Sequence, residues 1–250
     1  MISQRIPEAS QNELSTGEPS IVQRSKARQT LSLLFYGSIS LLVVGVISFA
    51  TFRPILVLPR IRLAPGFSFQ KLFNSNSLYN DELRGGLTLY TFTFSECLND
   101  ANCPQNLEAL SELYDTYSTI TPEDPEAFLT LNMVTVLLDK ELSSFEIDEG
   151  TISENWHIVH GDELQTRYVV GQGFQVFYAE KGEGGREANY VNPKIVLVDG
   201  LGMIRGEYRR GFPEPVILTR DVNLLQEEFL NRQGVNRIGY EAAHLFVCYP

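Results

Sequence analysis

The sequence has little sulfur, little imidazole and no basic excess. Three cysteines and three histidines are the whole supply of thiol and imidazole ligands in 250 residues, so each can be weighed singly. Lys and Arg number 20 against 31 Asp and Glu, a formal charge of -11. Beyond residue 29 the balance is 16 basic to 28 acidic with no basic cluster, which argues against a nucleic-acid partner, because phosphate backbones are bound by excess Lys and Arg. No Gly-Lys-Ser/Thr pattern follows the glycines of Gly182–Gly185, so that segment reads as a flexible turn rather than a phosphate loop. No nucleophile-elbow motif supports Ser-His-Asp hydrolysis, Glu123, Asp124 and Glu126 read as a solvated loop face, and there are no internal repeats.

One long apolar run is present. Thr30–Phe52 holds no charge, and at about 1.5 Å per helical residue it spans a hydrocarbon core of about 30 Å. It lies behind a polar tail and exceeds the roughly 7 to 15 apolar residues of a cleaved signal, so an uncleaved single-pass anchor in a membrane is expected. Arg24, Lys26 and Arg28 on one flank and Arg53, Arg60 and Arg62 on the other leave orientation undecided by charge. A cysteine pair that cycles through a disulfide would put the C-terminal part in a periplasm, lumen or intermembrane space and the N-terminus on the cytoplasmic side. The expected organisation is a flexible polar tail (1–29), the anchor (30–52), a proline-rich connector or edge strand (53–65), a folded domain (66–234) and a C-terminal tail (235–250).

The domain reads as α/β. Leu87–Phe94 is β-branched and aromatic, Pro104–Tyr117 places Leu107, Leu110, Leu113, Tyr114 and Tyr117 at helical spacing, and Leu131–Leu138 is a buried central strand. Strand, helix, strand implies a parallel crossover. Trp156–Val159 is a short strand, Asp162 caps a helix through about Gly171, and Ile195–Val198 with Met203–Tyr208 forms a hairpin across Gly200–Gly202. Thr219 is expected to cap a last helix ending at Gly234, with Val222, Leu225 and Phe229 on one face. The sum is a mixed sheet with helices on its faces.

Cys97 and Cys103 lie between the first strand and the helix led by Pro104. Helix starts gather unpaired N-H groups and the positive dipole end, which stabilise a thiolate. Five residues separate the pair, yet a flexible loop can bring their Cα atoms to the roughly 4.4–6.8 Å a disulfide needs. Cys97 in the loop is expected to be the more exposed, and Cys103 to gain more from the helix. A disulfide that only staples the loop is the alternative. His157, His160 and His244 are single histidines of the kind that are usually structural, and Cys248 near the end is a free thiol or a tail contact.

Leu87–Leu110, with its cysteine pair ending in Cys-Pro before a helix, resembles the active-site segment of Sco/SenC proteins. Trp156–Leu164, Gly173–Tyr178 and Val196–Gly202 are similar, in the same order, to later segments of that family. The resemblance covers about residues 66–234 and implies a thioredoxin-like mixed sheet with flanking helices, behind one transmembrane helix. It also implies a role in cytochrome oxidase copper-site assembly, with a cytochrome oxidase subunit or another cysteine-bearing protein as partner. The family has three residues between its cysteines, and a copper-ligating histidine before the late strand; Ala188–Lys194 has none. The reading is therefore thiol-disulfide exchange by Cys97 and Cys103, an oxidoreductase class left open. Cu(I) held by the two sulfurs as a copper chaperone, and a degenerate binding module with a structural disulfide, are the alternatives. Pro193, just before the strand that faces the cysteines, resembles the cis-proline of thioredoxin-like folds; the alternative is a trans proline opening an edge strand.

Overall fold

The computed structural model describes residues 21–52, 56–73, 76–122, 129–139, 147, 150, 152–232 and 236–246. Cys248, Glu123, Asp124, Glu126 and residues 1–20 of the expected tail lie outside them. The chain divides into two compact units, residues 1–54 and 55–250.

The first unit is helix α1, Ile21–Phe52. It begins within the expected polar tail, ahead of Thr30. Its stretch Arg28–Ser48, 21 residues, is long and apolar enough to cross a membrane and none of it is buried. Leu31, Leu34 and Leu41 are more than two-thirds exposed, so this helix has no protein core to fill and is apolar all round.

In the second unit eight strands form one sheet in the order β1-β10-β9-β4-β5-β6-β2-β3. The centre is β4 (Leu87–Thr93) beside β5 (Leu131–Leu137), both buried at every position. They run parallel, Leu87 level with Leu131 and Thr93 with Leu137, and β6 (Trp156–His160) continues the parallel set. β9 (Ile195–Val198) and β10 (Met203–Tyr208) form the expected hairpin, with β9 antiparallel to β4. Its turn is shaped by Asp199, whose Oδ1 accepts from the N-H groups of Leu201 and Met203 at 2.9 and 3.0 Å, and by Gly202 at φ +83°. β1 (Arg62–Leu63), within the proline-rich connector, is an edge strand on β10, and β2 (Ser68–Lys71) with β3 (Ser77–Tyr79) closes the other edge. β7 (Tyr178–Ala179) and β8 (Tyr190–Val191) make a separate two-stranded ribbon.

Strand alternation sorts β4 onto two cores. Leu87 and Leu89 meet α3 (Leu107–Ser118) through Leu110, Leu113, Tyr114 and Tyr117, and α5 (Pro215–Leu230) through Leu218, Val222 and Leu225. Tyr114 stacks on Trp156, and the Tyr117 hydroxyl donates to the Leu87 carbonyl at 2.9 Å. Tyr90 and Phe92 face the other way, against Phe174, at ring distances of 4.8 and 5.3 Å. Each such fully buried side chain contributes roughly 1.5–3 kcal/mol by burial.

Two expectations are corrected here. α5 starts at Pro215, not Thr219, and Phe229 is partly exposed rather than on the packed face. The C-terminal tail contains a helix, α6 (Asn236–Phe246).

Candidate redox site

The cysteine loop leaves the C-terminal end of β4. Residues Ser95–Leu98 wind into a single helical turn, α2, that carries Cys97 inward to 6% exposure. The turn is pinned from the neighbouring parallel strand: Asp139, just past β5, accepts from the Ser95 N-H at 2.7 Å and the Ser95 hydroxyl at 2.9 Å. Burial pushes the Asp139 carboxyl above its ordinary range, the Ser95 hydrogen bonds oppose the shift, and the Glu96 charge adds to it.

The chain then turns back. The Cys103 N-H donates to the Asp100 carbonyl at 2.9 Å, and the Asp100 carboxylate accepts from the Asn102 N-H at 2.9 Å. Cys97 and Cys103 are thereby disulfide-bonded with Cα atoms 5.4 Å apart, within the range expected from the loop length. Their exposure is the reverse of the expectation. Cys97 is buried in the apolar cluster with Phe92 and Phe94, whereas Cys103 is half-buried against it. Cys103 also lies ahead of the helix rather than at its tip: α3 starts at Leu107, and Asn106 caps it by accepting from the Ala109 N-H at 2.8 Å. An asparagine that can cap outcompetes the proline start, so Cys103 gains less of the dipole than Pro104 suggested.

Pro193 lies two residues before β9, whose ladder with β4 ends at Tyr90 opposite Val196. The cis expectation is overturned, since no peptide bond among the described residues is cis. The flanking backbone is also engaged within the chain: the Asn192 N-H donates to the Phe177 carbonyl at 2.8 Å, and the Pro193 carbonyl accepts from the Gly211 N-H at 3.1 Å.

The histidines do not join the cysteines. His157 and His160 lie on β6, beyond β5, and burial lowers the pKa of both. His244, on α6, bonds Glu228 at 3.2 Å. Among the described residues no group of three His, Cys, Asp or Glu side chains could hold a metal, so two sulfurs without a third ligand do not fit a histidine-completed copper site.

Three features escaped the sequence reading. Asp139 ends a nearly all-apolar run, and a lone acid at the end of the strand parallel to the cysteine strand is a usable signal. Gln105, 3% exposed, has an amide whose two polar atoms find no partner among the described residues, and nothing in its type announces that. The β7–β8 ribbon is drawn to the loop, with Tyr178 edge-on to Phe94 at 6.4 Å, and the Asn189 amide donating to Glu96 at 2.7 Å.

No protein-family model matches the sequence, and no curated protein matches it. Solved structures do. An SCO1/SenC family lipoprotein from Bacillus anthracis aligns at a TM-score of 0.51 with 17% identity, over 67% of this chain and 96% of that one. BsSco, described with a disulfide switch as a member of the Sco family of cytochrome c oxidase assembly proteins, aligns at 0.51 with 16% identity, over 69% and 98%. A putative electron transfer protein from Aquifex aeolicus aligns at 0.50 with 12% identity, over 66% and 94%. The second unit has the fold of these Sco/SenC structures, a thioredoxin-like mixed sheet with flanking helices.

Proposed function

We propose that this chain is a Sco-like, membrane-anchored thiol-disulfide protein whose Cys97 and Cys103 exchange with the cysteines of a partner. The observation that carries the reading is the asymmetric disulfide: one sulfur buried, one half-buried, 5.4 Å apart at Cα, at the end of a central strand of a Sco-like fold. In the reduced form the Cys103 thiolate attacks one sulfur of a partner disulfide, and the other partner sulfur leaves with the electron pair. Cys97 then loses its proton and attacks Cys103, which restores the internal disulfide and releases the second partner sulfur as a thiolate. The partner is oxidised protein, and two electrons pass from the pair to it.

A cytochrome oxidase subunit is the partner class that fits the fold relatives, and copper-site assembly is the process. In this reading Arg28–Ser48 spans a membrane, the residues before it are cytoplasmic, and the domain from residue 66 occupies a periplasm, lumen or intermembrane space, where disulfides persist. Pro193 acts by shaping the start of β9 opposite the loop. Cu(I) carried as cargo would take Cys97 and Cys103 as two soft ligands after reduction.

Full-length protein in detergent, with Cys97→Ser and Cys103→Ser variants, tests this. Cys97→Ser is expected to trap a mixed disulfide through Cys103, and Cys103→Ser to trap little. A potential below about -300 mV with no trapped species would instead mark a structural staple. Tight Cu(I) binding by the reduced protein, lost in both variants, would favour the cargo reading.

A further inference from the structure

We propose that the outer face of the β7–β8 ribbon, built from Phe177, Arg186 and Tyr190, is the docking platform for a partner-protein segment that carries a carboxylate a few residues from its reacting cysteine. The proposal rests on the thiol-exchange reading and adds the chemistry of the partner.

Alternation divides the ribbon into two faces. Tyr178 and Val191, paired in the ladder, turn inward and pack on the cluster that holds Cys97, as Cys103 does. Phe177 and Tyr190 turn outward, 57% and 42% exposed, with ring centroids 5.9 Å apart. The Arg186 guanidinium lies over both rings, 4.9 Å from the centroid of Tyr190 and 5.8 Å from that of Phe177. These cation-π contacts place the guanidinium without using its N-H donors in a conventional hydrogen bond. Arg186 makes no side-chain hydrogen bond or ion pair among the described residues. Arg167, which lines the same cavity, is neutralised by Glu163 and Glu183.

That cavity, about 860 Å³, is floored by Val176, Phe177 and Ala179. Gln175, also lining it, has φ +56°, a left-handed conformation uncommon for a non-glycine residue. Phe, Tyr and Arg are also the side chains that anchor protein interfaces. A cation with free donors set between two rings calls for a carboxylate beside apolar groups. Nucleic acid does not fit, because the chain carries a net charge of -11. Tyr178 and Val191 on the inner face share a cluster with Cys103, and one packed layer of about 10 Å, roughly three extended residues, is the spacing we propose between the partner's acid and its cysteine.

On this platform the chemistry is one exchange, read here in the direction that reduces the protein. The partner thiolate attacks the Cys103 sulfur, and a partner–Cys103 disulfide forms as the Cys97–Cys103 bond breaks. The electron pair leaves on the Cys97 sulfur, which takes up a proton from solvent.

The test uses oxidised full-length protein in detergent and three single-cysteine peptides, identical except for Glu, Gln or Lys three residues to either side of the cysteine. Initial rates of mixed-disulfide formation are divided by the rate of each peptide with uncharged 2-hydroxyethyl disulfide, which removes the effect of the flanks on the peptide thiol itself. The Glu peptide is expected to react about three- to five-fold faster than the Gln peptide and the Lys peptide slower. The ranking should vanish in Arg186→Gln, while the rate with uncharged 2-mercaptoethanol stays unchanged. Exchange with 2-mercaptoethanol but equal normalised peptide rates, or a ranking that survives Arg186→Gln, overturns the platform and leaves the thiol-exchange reading standing. No exchange with 2-mercaptoethanol or any peptide overturns both.

Discussion

At the Leu87 end of β4, buried charges are matched; beyond the Thr93 end, some polar groups have no partner among the described residues. Arg205 is 1% exposed and donates to Asp199 at 2.8 Å, to Glu228, and to the carbonyls of Leu58 and Pro59 at 2.7 and 3.1 Å. Glu228 also accepts from Arg60 and His244, and Arg60 reaches Glu241 at 3.0 Å. At the other end stand the Cys97–Cys103 bond, the unpartnered Gln105 amide, the strained Gln175 and the unpaired Arg186. The difference separates what holds the domain together from what it presents. A matched ion cluster resists change because removing one member strands the rest, whereas groups without internal partners are free to meet something from outside.

Breaking the matched end should have the largest effect. Arg205→Met strands Asp199 and Glu228 and is expected to cost about 3–5 kcal/mol, lowering Tm by on the order of 10 °C. The glutathione-equilibrated potential of the folded fraction should stay at the parent value; a large shift would show that the two ends are coupled.

Acid probes the same cluster. Burial pushes the Glu228 carboxyl up, but hydrogen bonds from His244 and Arg205, with their charges, outweigh it and hold the group at about 2. Its stabilisation is therefore present above the ordinary carboxylate value of 4.5 and is lost as pH falls from 4.5 towards 2, on the order of 3 kcal/mol in total. Urea midpoints measured against pH should show that loss, and Glu228→Gln should flatten it. Asp139, shifted upward, contributes with the opposite sign: its part of the stability declines as pH rises above its ordinary value.

Reduction of the Cys97–Cys103 bond, which closes a loop of sequence separation 6, should cost about 2 kcal/mol by denaturant titration with and without reductant. The smallest effect, in the stabilising direction, is expected from Gln105→Leu. Replacing an unpartnered buried amide with an apolar group of similar size should raise stability by about 1 kcal/mol in the oxidised protein, and a loss in the same assay would show that the amide is paired.

The frame of the domain was legible because its signals are local. β4 and β5 announce themselves by β-branched and aromatic runs, and the Ile195–Tyr208 hairpin by its glycine turn. Thr219 misled because threonine caps helices well, whereas Pro215, with its φ already fixed, begins α5 a turn earlier. α6 was lost because its apolar stripe lies beyond a glycine that reads as a stop. At the site, the cysteine pairing was readable from spacing, but the exposure of its two sulfurs was not, since a single helical turn at Ser95–Leu98 decides it. Asp139 and Arg186 gain their meaning only from the strand pairing and ribbon geometry that bring them to the loop.

The Arg205 cluster also dictates an order of events. It joins residues as distant in sequence as Arg60 and Glu241, a separation of 181, and its last two members, Glu241 and His244, sit on the final helix. A chain made from its N-terminus at about 5–20 residues per second can lay down the whole sheet, and form the Cys97–Cys103 bond, before α6 exists. Until then Glu228 has only part of its counter-charge, so this ion cluster closes after the sheet, when α6 docks.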